Sequence, residues 1–161
     1  MGIEPLVKAT ELVKATESAL PAPGRDWQQL WFNALQHPWS SLVIVPAEPN
    51  VSVLPAARSL VAAARLYHQR PVCLIEAEGT DPAATSFVIS SAKNRVAAGE
   101  QVIIAVDSPL SNPAAIPIAR AADAALLLVP LGHTHVRSAR QAIDYIGRQH
   151  FIGSIALGDL R

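Results

Sequence analysis

The stretch Ser41-Leu-Val-Ile-Val-Pro-Ala-Glu-Pro-Asn-Val-Ser-Val-Leu-Pro-Ala-Ala-Arg-Ser-Leu60 decides how the chain is read. The apolar run 42–45 has the length and continuity of a strand buried on both faces. A turn of prolines and small residues follows, and a helix is expected from about 54 to 69, opened by Pro55. Strand, tight loop and helix bring backbone N–H groups and a helix N-terminus together, the arrangement that cradles phosphate. A working cradle also needs glycines so that the backbone can wrap the anion, a lysine for its charge and a Ser/Thr for the metal. The matching positions here hold Asn50, Ser52, Val53 and Leu54. The scaffold is expected to stand with its chemistry removed.

From residue 42 onward the chain alternates. Runs of strand length fall at 42–45, 72–75, 102–106, 124–129 and 151–157, with helix-compatible segments at about 54–69, 83–98, 113–122 and 135–148 between them. This alternation predicts an α/β fold, a three-layer αβα sandwich around a mostly parallel sheet of about five strands. Ligands of such sheets bind beyond the C-terminal strand ends. Two of those ends carry carboxylates, Glu76 with Glu78 and, later, Asp107. An Asp at the tip of a buried strand beside a phosphate loop can hold Mg²⁺; an Asp before Ser-Pro can equally cap a turn. Both readings of Asp107 stay open from the sequence.

Upstream, Leu-Val-Lys-Ala-Thr-Glu occurs at 6–11 and again at 12–17. Leu6, Val13 and Leu20 fall seven apart, which predicts an amphipathic helix over about 4–20, ended by Pro21-Ala-Pro-Gly24. Residues 1–24 are read as this extension with its linker, and 25–161 as the main domain. Asp26 is a candidate N-cap for a second helix over 26–36, whose Trp27, Leu30, Trp31, Ala34 and Leu35 form one stripe. The stripe suits a core; Trp is also favoured at partner surfaces. Leu6, Val13, Leu20, Trp27 and Trp31 are therefore the candidate partner-binding residues.

Composition narrows the classes. Half of the 161 residues are apolar, 16% are charged, and the formal net charge is zero. That argues against a nucleic-acid footprint and against direct binding to an anionic membrane. The single Cys73 has no partner for an intramolecular disulfide, so a reducing compartment is expected. The start of the chain has no basic-then-apolar pattern, and a cytoplasmic address is expected, with recruitment to the inner membrane only through a partner. His133-Thr-His135 has the pattern of a partial zinc site, but two ligands do not make one; a solvated loop with Thr134 capping the next helix is expected. No metal or cofactor is expected.

Taken in order, these motifs resemble the MinD/ParA-type P-loop ATPases, and among them the bacterial tyrosine kinases of capsule and exopolysaccharide synthesis. Ala47-Glu-Pro49 resembles the entry to their P-loop. Ile75-Glu-Ala-Glu78 resembles Ile-Asp-Ala-Asp, Val102 to Pro109 resembles Val-Ile-Ile-Asp-Thr-Pro-Pro, and Ala122-Asp-Ala-Ala-Leu-Leu-Leu-Val129 and Ile152-Gly-Ser-Ile-Ala156 resemble the later strands. The likeness covers about 26–158. The departures matter more. The lysine position is Val53, the hydroxyl position is Leu54, Leu157 stands where Asn would meet the base, and a terminal tyrosine cluster is lacking. Losing the lysine and a metal ligand would remove ~6 kcal/mol of transition-state stabilisation, roughly 10⁴-fold in rate.

The resemblance implies a catalytically inactive regulatory or scaffolding subunit in exopolysaccharide synthesis, cellulose-like or capsule-like. Its expected partner is a membrane synthase, a co-polymerase, an active ATPase relative or a second copy of itself. Two alternatives remain: a degenerate division- or partition-type relative that binds a polymerising protein, and an enzyme that uses Asp107 and the glutamates on an unusual nucleotide.

Overall fold

The computed structural model describes residues 6–8, 24–67 and 69–158. Six strands form one all-parallel sheet: β1 (Leu6–Lys8), β2 (Ser41–Pro46), β3 (Val72–Glu76), β4 (Gln101–Ala105), β5 (Ala124–Pro130) and β6 (Phe151–Gly158). Their order is β1-β6-β5-β2-β4-β3. The five longer strands match the five apolar runs. The described helices are α1 (Arg25–Leu35), α2 (Leu54–Arg65), α3 (Thr85–Ala97), α4 (Ala115–Ala121) and α5 (Val136–Ile146).

The two-residue period of the strands divides the core into two layers. Leu42 and Ile44, Ile103 and Ala105, Leu126 and Leu128, and Ile155 and Leu157 face α1 and α2. Val43 and Val45, Val102 and Ile104, and Ala125 face the opposite way, toward Ala92 of α3, Ile118 of α4 and Ile146 of α5. Both faces of β2 are thus covered, which is why its sequence is apolar throughout rather than alternating. α4 tolerates Pro117 because it lies in the first turn, where the missing N–H has no carbonyl to bond within the helix.

Three expectations are corrected here. Leu6–Lys8 is not helical; it pairs in parallel with Ala156–Gly158 at the sheet edge. A short isolated helix is marginal in water, whereas the edge of β6 offers a row of unpaired backbone groups. The rest of the predicted helix, with Val13 and Leu20, lies outside the described residues. Trp27 and Trp31, expected as partner contacts, are only 4% and 2% exposed and belong to the core between α1, α2 and the sheet. Trp39 stands edge-on to Trp31 at 5.7 Å between ring centres, and its Nε1 donates to the Ala34 carbonyl at 2.9 Å. The indoles therefore fix α1 to its own domain. Asp26 makes no cap; Gly24 holds the N-cap position, and Asp26 sits in the first turn, where its charge favours the helix dipole.

This layering predicts that Leu126→Ala, at a fully buried position, lowers the unfolding free energy by about 2–5 kcal/mol. Phe87→Ala on α3, where the ring is 74% exposed, is expected to change it by about 0.5 kcal/mol or less. Urea titrations of the two variants check both values.

Candidate functional site

The strand order reverses around β2, and the loops after β2, β3, β4 and β5 gather beyond their C-terminal ends, where open α/β sheets place ligands. β2 ends at Pro46 and α2 starts at Leu54, so residues 47–53 form the loop that the sequence marked as a vacated phosphate cradle. The loop turns through Asn50, whose φ of 65° is in the left-handed region that Asn enters at low cost.

The N-cap of α2 is Val53, which has no side-chain oxygen to offer the first N–H groups. Glu78 supplies the oxygen instead. Its Oε1 accepts from the Val53 N–H at 2.8 Å and the Leu54 N–H at 3.3 Å. The Ser52 hydroxyl lies 2.9 and 3.0 Å from the two carboxylate oxygens. A carboxylate thus occupies the position an anion takes at a helix N-terminus, satisfying the free amides and the positive end of the dipole. Glu76, at the end of β3, reaches α2 as well, through a 2.9 Å ion pair with Arg58. Both of those side chains are about half exposed, so this pair adds little stability.

Asp107 lies just past β4. Its Oδ2 accepts from the Gly79 N–H at 2.7 Å and from Asn112 Nδ2 at 2.9 Å, and Asn112 Nδ2 also reaches the Thr80 carbonyl at 3.1 Å. Gly79 has φ of 72°, a conformation that a side chain would strain. Asp107 therefore ties the loop after β3 to the loop after β4.

A fourth carboxylate closes the other side. Glu48 Oε1 accepts from the His135 N–H at 2.6 Å and faces His135 Nδ1 at 3.1 Å. His135 is the N-cap of α5 and provides no side-chain cap of its own. The backbone bond from His135 is the main influence holding the Glu48 carboxyl below its ordinary value; partial burial works against it, and hydrogen bonds from the His135 and Ser138 side chains assist. Thr134, expected to cap α5, instead donates to the Pro130 carbonyl at 2.7 Å. Leu157 is buried in the core at the end of β6, and its carbonyl accepts from the Leu131 N–H.

The structure thus brings Ser52, Val53, Leu54 and Glu78 into one cluster, sets Glu76 beside it, and joins Asp107 to the same loop as Glu78. Sequence reasoning paired neither Glu48 with His135, whose loops meet only once the sheet is assembled, nor Asp107 with Asn112, which lies five residues on in the same loop. Among the described residues no group of three or more His, Cys, Asp or Glu is placed to hold a metal ion. Two hollows lie away from these loops: one of about 250 Å³ lined by Ile89, Lys93, Val96 and Ile118, and one of about 980 Å³ along Phe151–Ser154 of β6, near His37 and Arg148. Cys73 is partly buried in β3, and desolvation pushes its thiol up.

This geometry defines a three-layer P-loop-like α/β domain. The chain is similar to a solved structure described as that of the chimerical protein CapA2B2, with a TM-score of 0.77 over 98% of this chain and 94% of that one, at 9% sequence identity. At that identity the likeness is one of fold. No protein-family model matches the chain, and no curated protein does. No helix among the described residues is long and apolar enough to cross a membrane.

Because the Glu48 carboxyl is held low in the fold, it contributes stability that is complete above the ordinary carboxylate value of 4.5 and is lost as the pH falls through the lowered value. The melting temperature of Glu48→Gln is therefore expected to lie below that of the unaltered chain by a gap that is constant above about pH 6 and narrows toward pH 3. Calorimetric scans across that range check it.

Proposed function

We propose that this chain is a non-catalytic member of the P-loop-like class that acts through protein contacts, as a regulatory or scaffolding subunit of exopolysaccharide synthesis. The observation that carries the proposal is the Glu78 carboxylate on the Val53 and Leu54 amides. An incoming phosphate would have to displace a charge already bonded there, and it would meet no lysine and no hydroxyl at those two positions. Glu76 and Asp107 add negative charge nearby.

The pathway part of the proposal is supported by the resemblance to the tyrosine kinases of capsule and exopolysaccharide synthesis, together with the fold shared with CapA2B2. With Trp27 and Trp31 used internally, the partner surface moves elsewhere. Phe32 and Tyr67, on and just beyond the outer faces of α1 and α2, meet edge-to-face at 4.6 Å between ring centres and remain partly exposed beside Leu66, a small aromatic patch suited to a protein partner. The partner class is a synthase, a co-polymerase or an active ATPase relative, reached from the aqueous side.

Titration calorimetry with ATP and Mg²⁺, paired with a phosphate-release assay, tests the catalytic part. The expected result is no binding heat at millimolar nucleotide and no release above the uncatalysed rate, for the unaltered chain and for Glu78→Ala alike. Micromolar binding with turnover would overturn it. Affinity capture from the native cell, comparing the unaltered chain with Phe32→Ala/Tyr67→Ala, tests the partner part. A polysaccharide synthase or its accessory ATPase, lost in the double variant, is the expected result; capture of division proteins would overturn it.

A further inference from the structure

The groove between α3 and α4 is incompletely filled, for a reason visible in the two helices. On α3 the residues along it, four apart, are Ile89, Lys93 and Ala97; across from them, on and just after α4, stand Ile118, Ala121 and Ala122. The alanines are too short to meet, and an exposed lysine keeps its charged head toward water rather than closing the gap. Ala92 is the single buried residue of α3. The result is the hollow of about 250 Å³, with Ile104 of β4 beneath it.

The polar groups of this hollow are few and incompletely used. It lies at the N-terminal ends of the strands, away from the loops that carry Glu78 and Asp107: Ser41 opens β2 and Asp123 directly precedes β5. Asp123 Oδ2 accepts from the Ser40 and Ser41 N–H groups at 2.7 and 3.1 Å, and the Asp123 N–H donates to Ser41 Oγ at 2.9 Å. Among the described residues, Asp123 Oδ1 receives no hydrogen bond, and the hydroxyl hydrogen of Ser41, a residue only 7% exposed, has no acceptor. Lys93 makes neither an ion pair nor a hydrogen bond among the described residues. Apolar walls with a few convergent polar groups are the composition of a small-molecule site.

We propose that this hollow binds a free α-amino acid with a branched or aromatic apolar side chain. Lys93 takes the carboxylate, Asp123 Oδ1 takes the ammonium, and Ile89, Val96 and Ile118 cover the side chain. The volume agrees. A cavity of roughly 150 Å³ holds benzene, so about 250 Å³ accommodates such a side chain with its charged head. Simpler ligands answer only part of the site. A carboxylic acid gives Asp123 no partner, and an alkylamine gives Lys93 none. Once bound, the amino acid joins α3 to α4, and α3, anchored by one buried residue, is the element it steadies. The site shares no residue with the cluster around Val53 and Glu78, so its test is independent of the nucleotide experiments.

Titration calorimetry with L-leucine and L-phenylalanine tests this, with isocaproate and isopentylamine as the acid and amine that each lack one charge of leucine. Saturable binding of at least one amino acid is expected, with both single-charge analogues at least about tenfold weaker, as loss of a charge-assisted hydrogen bond predicts. Lys93→Met, which keeps the apolar stem at an exposed position, is expected to weaken the amino acid by a similar factor. Ala97→Leu, also at an exposed position, is expected to obstruct the groove and abolish binding. Melting temperatures of both variants without ligand, close to that of the unaltered chain, show that the fold is kept. The proposal is overturned if neither amino acid binds at millimolar concentration, if either analogue binds as well as leucine, or if the folded variants bind unchanged.

Discussion

The arrangement beyond the strand ends depends on one interaction: a glutamate oxygen on the first amides of α2. A helix that begins with Val-Leu-Pro has no cap of its own, and its free N–H groups require an acceptor. In a phosphate-binding loop the ligand provides that acceptor. Here Glu78 does so from the loop after β3, and the anion is part of the chain. The same solution recurs at α5, where Glu48 caps a helix whose own N-cap residue contributes no side-chain bond. Asp107 completes the set by binding the Gly79 amide next to Glu78. These three carboxylates hold loops and helix ends.

The layers and the polar contacts beyond the strand ends are held by different forces. The sheet is buried on both faces and is held mainly by apolar packing of strands against helices, which loop residues such as Val53 and Ala77 join. The loops need negative charge at definite points, because the sheet aims helix N-termini at them. Whether that charge comes from a bound phosphate or from side chains makes no difference to the amides. Acidic residues just beyond or at the strand ends fill those positions in this chain.

Most of the fold was legible in the sequence because it depends on period and length. Runs such as Val102–Val106 and Ala124–Val129 can be little other than buried strands once helical segments separate them. The departure from a phosphate-binding loop was also visible in the residues: Val53 and Leu54 stand where a lysine and a hydroxyl residue are expected. What could not be read were contacts between loops distant in sequence. Glu78 was recognised as a carboxylate beyond a strand end, yet its bond to Val53 follows only from β3 and α2 lying side by side. Leu6–Lys8 was misassigned because a Leu-Val pair in a six-residue repeat satisfies a helical stripe as well as a strand, and the open edge of β6 decides between them. Trp27 and Trp31 were ambiguous until the sheet beneath them was known.

The central claim is that the anion position at the start of α2 is already filled by Glu78. It is tested most directly by following the backbone amide resonances of Val53 and Leu54 while Mg²⁺ and ATP are added to the unaltered chain. The account predicts that neither amide moves at millimolar nucleotide, while Glu78→Ala alone shifts both through loss of the carboxylate. Saturable movement of the two amides at micromolar nucleotide, with Glu78 intact, would contradict it.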